Sequence, residues 1–271
     1  MSDILPYVYV GIVLFAGSTL QATVGFGYGL FAVPVLLLLG WQPYEAMAIV
    51  GACVIVHGWF CIWRSRHELL WGELWWLIAI GCAMQPVGNL LLSKLVGKAI
   101  LGQVFGCLLL GGLALRAWWQ PEPRERLHPL WGVLTMTLFG LLSGVAGMGG
   151  PPVVLWLLAH KWSNERIRLV MWTIFSTSNV TNLIWLAYRF QPAVVLSAAG
   201  VGLMFLPVVM LGAWPADWLN NRMSHTALRR IAMSFLVLIG LYAILQPIIL
   251  PELGHRPSPV RPPVRENQAI P

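Results

Sequence analysis

The chain has 271 residues, 58% of them hydrophobic and only 10% charged, and its mean hydropathy is +0.74. Those values exclude an ordinary soluble domain, in which about a quarter of residues carry charge. The net charge of +7 sits in short loops between apolar runs, where it orients a membrane chain and meets anionic headgroups; no basic face interleaved with aromatics exists for nucleic acid.

A membrane crossing needs about 20 apolar residues. Apolar runs occupy positions 5–40, 44–63, 69–93, 99–118, 129–160, 167–188, 192–214 and 227–250. Met1-Ser2-Asp3 lacks a basic leader, so the first run is expected to remain as structure. That run is too long for one simple crossing, and Gly25-Phe26-Gly27-Tyr28-Gly29, with Pro34 beyond, interrupts it. Glycine weakens a helix and proline frees backbone groups that lipid cannot hydrate, so the interruption predicts a broken or re-entrant helix. Gln21, Thr23 and Tyr28 flank it with polar side chains. Run two carries His57, the one histidine well inside an apolar run. Neutral, it is a core residue; protonated, it adds a switchable positive charge to a cavity. Run three holds Gln85 and Asn89 on either side of Pro86, which predicts a kink. Cys53, Cys61, Cys82 and Cys107 all fall in apolar runs at spacings that match neither zinc nor disulfide patterns, and read as small buried hydrophobes.

A polar linker, Gln120–His128, divides the chain. Run five then repeats the defect of run one at Gly147-Met148-Gly149-Gly150-Pro151-Pro152, with Ser143 just before it, 122 positions on (147 − 25). Trp162 follows Trp41 by 121 (162 − 41), and Pro207 follows Pro86 by 121 (207 − 86). The recurrence predicts residues 1–119 and 129–250 as duplicated transmembrane units. Run six is dense in polar residues (Thr173, Ser176, Thr177, Ser178, Asn179, Thr181, Asn182). Ser178, Asn179 and Asn182 are expected to face a cavity together, with interhelical hydrogen bonding as the competing role. The other runs read as ordinary helices. The proline-rich tail after Pro251 reads as disordered. Trp59, Trp63, Trp71, Trp118 and Trp131 lie near run ends, as interfacial anchors do.

The fold class predicted is an all-α polytopic membrane protein of two pseudo-symmetric repeats, each with one broken or re-entrant segment and three spanning helices. If every run crosses once, Lys and Arg divide 9 to 8 and orient nothing. If runs one and five each return to their starting side, the division is 11 to 6. The positive-inside rule then makes the repeats inverted and puts both termini in the periplasm.

At each break a half-helix is expected to begin (at Leu30 and at Val153), presenting unpaired N–H groups at the positive end of its dipole. Two such ends converging make an anion site without a fixed charge. All ten acidic residues lie in loops, tails or run edges, which argues against a carboxylate proton or sodium relay. No catalytic constellation, metal cluster or cofactor motif is present, so an enzyme is not expected. The solute-binding residues expected are Gln21, Gly25, Gly27, Tyr28, Gly29, His57, Gly147, Gly149, Gly150, Ser178, Asn179 and Asn182.

The Gly-x-Gly-x-Gly segment with its downstream proline, recurring as Gly-Met-Gly-Gly-Pro-Pro, resembles the sulfite exporter TauE/SafE family of bacterial inner-membrane proteins. The family's first motif falls on Gly25, Gly27, Gly29 and Pro34, and its second on Gly147, Gly149 and Gly150, with Pro151 where a third small residue often stands. The resemblance implies transport of a small sulfur-containing anion (sulfite, sulfoacetate or another organosulfonate), often outward; the missing carboxylates suit alternating access driven by membrane potential. Uptake of a related anion such as thiosulfate and a non-transporting scaffold remain as alternatives. The partners implied are that solute, membrane lipids and, as an open option, a second copy in a homodimer; no cofactor is implied.

Overall fold

The computed structural model describes residues 5–24, 27–65, 71–98, 100–118, 123–125, 127–212, 233–234 and 236–245. They form α1 (Leu5–Val24), α2 (Tyr28–Leu38), α3 (Pro43–Ser65), α4 (Trp71–Leu95), α5 (Ile100–Trp118), α6 (Pro129–Ala146), α7 (Gly150–Leu158), α8 (Asn164–Arg189), α9 (Pro192–Met204), α10 (Leu206–Leu211) and α11 (Leu236–Leu245). Among the described residues there is no strand, only an isolated bridge between Arg124 and His160. Large apolar side chains such as Leu5, Ile12, Trp63, Trp75, Leu138 and Ile184 face outward around the bundle. Exposure on that scale suits lipid rather than water.

Among the described residues, four segments are long and apolar enough to cross a bilayer: Leu5–Ala22, Pro43–Trp63, Leu74–Leu95 and Pro129–Ala146. The molecule is an all-α polytopic membrane protein. At 26 residues α8 is long enough as well, about 39 Å at 1.5 Å per residue. Its polar residues keep it out of that set, and it lies inside the bundle against α3, α4 and α9. Run seven is not the ordinary helix expected. It breaks at Phe205 into α9 and α10 because Pro207 lacks the N–H that would continue the ladder; Phe205 N–H closes a tight turn on the Gly202 carbonyl at 3.1 Å. Pro86, by contrast, lies within an α4 that is helical from Trp71 to Leu95.

The two glycine-broken runs are helical hairpins. Near the tip of the first, a Cβ built on Gly17 of α1 would stand 2.9 Å from Tyr28 Cδ2 and 3.3 Å from Phe31 Cδ1. Near its base, Tyr7 and Trp41 meet edge to face at 6.5 Å between centroids. α2 therefore folds back along α1. The second hairpin closes in the same way: Arg124, ahead of α6, donates to the Ala159 carbonyl past the end of α7 (2.8 Å), and Lys161 donates back to the Arg124 carbonyl (3.0 Å). The sequence spacing recurs in the elements: α2 and α7 begin 122 residues apart (150 − 28), α3 and α8 121 apart (164 − 43), and α4 and α9 121 apart (192 − 71).

Between the hairpins, α3 and α8 form the centre of the bundle. Gly51 and Gly58 on α3 face Asn179 Oδ1 and Ser176 Oγ of α8, so the absent side chains let the two helices approach closely. Ser176 donates to the Val54 carbonyl at 3.1 Å, tying them together.

Candidate functional site

In the first break, Gly27 adopts φ +110°, a backbone region that side chains resist, and starts α2 without a side-chain cap. The first helical bond runs from Phe31 N–H to the Gly27 carbonyl at 2.9 Å. The N–H groups of Tyr28, Gly29 and Leu30 precede it and have no partner within the helix. In the second break, Gly147 ends α6 at φ +67°, its N–H bonded to the Ser143 carbonyl at 2.9 Å. Gly149 precedes α7, whose first three residues are Gly150, Pro151 and Pro152.

Two expectations change here. The half-helices begin at Tyr28 and Gly150, not at Leu30 and Val153. The two ends are also unequal donors: α2 opens with three N–H groups, whereas two of the first three residues of α7 are prolines without one. Proline fixes φ near the helical value, so it favours starting α7 while stripping its N-terminus of donors. The dipoles of both helices still point their positive ends at the break.

The breaks touch. A Cβ on Gly29 would stand 2.8 Å from the Gly147 carbonyl oxygen, and Gly150 lies 4.0 Å, on the same measure, from Leu30 Cδ1 and Phe175 Cζ. Between them is a cavity of about 60 Å³. A water needs roughly 10–15 Å³ by that measure, so the space holds a few waters or one small oxyanion. Gln21, Gly27, Tyr28, Gly29, Ser143, Gly147, Gly149, Gly150 and Asn179 line it, with Val50, Val54, Phe139 and Phe175 as apolar walls; the two phenylalanines stack at 5.9 Å. No Asp, Glu, Lys or Arg is among the described lining residues.

Three polar side chains border the cavity. Gln21 is 8% exposed and Ser143 6%, and among the described residues no protein group bonds either side chain. Both side chains line the cavity, where a bound polar solute can take their hydrogen bonds. Asn179 gives one amide hydrogen to the Phe175 carbonyl at 2.9 Å, leaving the other for the cavity.

Of the residues expected from sequence, Gln21, Gly27, Tyr28, Gly29, Gly147, Gly149, Gly150 and Asn179 come together here. Gly25 lies outside the described residues. His57 lines a neighbouring chamber. Ser178 and Asn182 do not join them. Asn182 Oδ1 accepts from Asn89 Nδ2 at 2.9 Å, and the Ser178 carbonyl accepts from Gln85 Nε2 at 2.9 Å. Adjacent helical residues point about 100° apart, so Ser178 and Asn179 cannot share a face, whereas Ser178 and Asn182 do, and that face belongs to α4. Gln85 and Asn89 are the other half of this clamp rather than cavity residues. Glu45, read as lying at a run edge, is fully buried in the first turn of α3, where it accepts from Gln42 N–H at 2.9 Å. The aromatic walls were missed. Phe175 follows Val54 by 121 positions, so the repeat carried a signal for it; nothing in the sequence marked Phe139.

This geometry sits on a chain whose residues 9–243 match the family described as Sulfite exporter TauE/SafE. The chain belongs to that family. A relative from Cupriavidus necator, described as a probable sulfite/organosulfonate exporter TauE, is 26% identical over 243 residues, covering 88% of this chain and 93% of the relative. No solved structure matches the chain. TauE/SafE membership supports a multi-pass membrane protein that transports anions. It also gives the glycine breaks a setting in which irregular backbone within a bilayer is tolerated, namely where it lines a cavity.

Proposed function

We propose that this TauE/SafE protein exports a small sulfur oxyanion, sulfite or an organosulfonate such as sulfoacetate, across the bacterial inner membrane by alternating access. The observation that carries the reading is the cavity where the two breaks meet. Donors surround it, with the α2 N–H groups on one wall and the unpartnered Gln21 and Ser143 on the others, and no acid is among its described lining residues. Sulfonate and sulfite oxygens accept hydrogen bonds and carry charge that the helix dipoles favour. The Cupriavidus relative's description points to the same solute class.

The hairpins support an orientation. With each returning to the side it left, Lys and Arg divide 11 to 6, and the richer side is cytoplasmic. The first hairpin then enters from the periplasm and the second from the cytoplasm, as inverted repeats do. Both termini are periplasmic. No co-ion is required, because an anion leaving an inside-negative cell gains about 2.3 kcal/mol per charge per 100 mV.

Reconstitution tests this. Full-length protein in liposomes should move labelled sulfoacetate at a rate that rises with an imposed potential. Flux indifferent to voltage removes the energetic part; absence of flux, with no stabilisation of the purified protein by any sulfonate, removes the assignment in favour of a scaffold.

A further inference from the structure

A second chamber, of about 40 Å³, adjoins the first and shares Gln21, Tyr28 and Val54 with it. Its remaining lining comes from Ser18 and Ala22 of α1, Cys53 and His57 of α3, Trp172 of α8 and Val209 of α10. Three of its polar groups have no oxygen or nitrogen hydrogen-bond partner among the described residues. The Tyr28 hydroxyl is fully buried with no oxygen or nitrogen partner and lies against the Cys53 thiol, which itself bonds the Gly202 carbonyl at 3.2 Å. Gln21 is unbonded, as described above. His57 meets the edge of Trp172 at 4.9 Å between centroids, with no hydrogen bond to its ring among the described residues. His57 is half-buried, and its ring borders the chamber. It stands there beside the Gln21 amide and the Tyr28 hydroxyl.

The pseudo-symmetric counterpart of this chamber is closed. Ser18, Ala22 and Val209 correspond, at 122 and 121 residues, to Gly140 (18 + 122), Gly144 (22 + 122) and Gly88 (209 − 121). These three glycines bring α4 and α6 into contact: a Cβ on Gly88 would stand 2.8 Å from Gly144 Cα, and one on Gly140 2.8 Å from Met84 Cβ. The α4–α6 seam is solid where the α1–α10 side is hollow. His57 lies in the half of α3 that leads to Arg64, on the side the arginine count makes cytoplasmic.

From this we infer that the His57 chamber is a second oxyanion station, through which the solute passes between the cytoplasm and the glycine-break site. Gln21 and Tyr28, common to both chambers, hand the anion from the His57 ring to the α2 amides. The inference rests on the proposed function, since it presumes an anion at the break site.

The test uses full-length protein in liposomes for sulfoacetate flux and the same protein in detergent for sulfoacetate-dependent thermal stabilisation. His57→Ala should lower saturated flux at least tenfold while the half-stabilising concentration stays within twofold of wild type. His57→Gln, which restores a donor, should recover at least a third of the flux. Ala22→Phe, at a residue that lines this chamber and not the break-site cavity, should abolish flux and leave stabilisation intact. Wild-type flux in both His57→Ala and Ala22→Phe overturns the station. Equal loss of flux and stabilisation in His57→Ala overturns its separateness from the first site, and failure of His57→Gln to rescue overturns the donor role. If wild type itself shows neither flux nor stabilisation, the proposed function falls and this inference with it.

Discussion

Replacing Gly29 with alanine adds one methyl group at the point where the two breaks touch. The new Cβ would stand 2.8 Å from the Gly147 carbonyl oxygen, where an ordinary contact is about 3.4 Å, so about 0.6 Å of overlap must be relieved. Both neighbours are backbone. Gly147 is fixed at φ +67° by its bond to the Ser143 carbonyl, and Gly29 lies in the first turn of α2, so no side-chain rotation helps and the hairpin tips must move apart. Overpacking of this kind costs about 1–3 kcal/mol. If the strain is relieved when the site loosens, the donors around the solute lose alignment by a similar amount, a five- to hundredfold weaker site at 1.4 kcal/mol per decade. The half-stabilising concentration of sulfoacetate should therefore rise at least fivefold and flux at subsaturating solute fall in step. Gly111→Ala is the control, since nothing lies within 4 Å of that Cβ, and it should change neither. Wild-type binding and flux in Gly29→Ala would mean that contact between the breaks has no bearing on transport.

Other residues give sharper separations of structure from function. Asn182→Ala removes the acceptor of the Asn89 bond and should lower thermal stability by the equivalent of about 1 kcal/mol while leaving the half-stabilising sulfonate concentration unchanged; a shifted concentration would return Asn182 to the site. Pro151→Ala gives α7 an N–H it lacks and should tighten sulfonate binding between two- and tenfold in the same thermal assay, with weaker binding counting against the donor argument. Gln21→Leu keeps the volume and removes the amide, so the apoprotein should become more stable by about 1 kcal/mol while sulfonate stabilisation falls at least tenfold. An apoprotein that loses stability would show that Gln21 is structurally satisfied.

How much of this was legible in the sequence depended on how local the determinant was. Glycine and proline act on their own backbone, so the breaks at Gly27 and Gly147 and their spacing could be read directly. Which face a polar residue presents depends on helical phase against neighbours that sequence does not place. Asn179 and Ser178 are adjacent in sequence yet serve different helices, one lining the cavity and the other joined to Gln85 on α4. The break at Phe205 shows the same limit. Pro86 and Pro207 occupy equivalent positions 121 residues apart, but only the second coincides with a helix end, where the Phe205 ring lies over Gly11 of α1 at 2.8 Å from its built Cβ. Pro86 sits instead beside Gln85, whose amide reaches the Ser178 carbonyl, so α8 steadies α4 where its own ladder is interrupted.

A site built from amides and neutral side chains has a consequence for turnover. A transporter must hold its solute firmly enough to select it and loosely enough to let it go. A lysine or arginine in the cavity would form a charge-assisted bond about twice as strong as a neutral one, and would be left buried and unpaired each time the solute departed. Helix dipoles and amide hydrogens carry no such charge to strand. The prolines of α7 go further in that direction, keeping the dipole of the second hairpin while removing two hydrogen bonds it would otherwise offer. The two breaks thus share a sign of potential but not a number of donors, and under the proposed function the anion would be bound mainly by the hairpin that carries Tyr28, Gly29 and Leu30. That same hairpin carries Gln21, the residue that opens toward His57, so the stronger half of the site lies next to the open chamber and the weaker half next to the sealed α4–α6 seam.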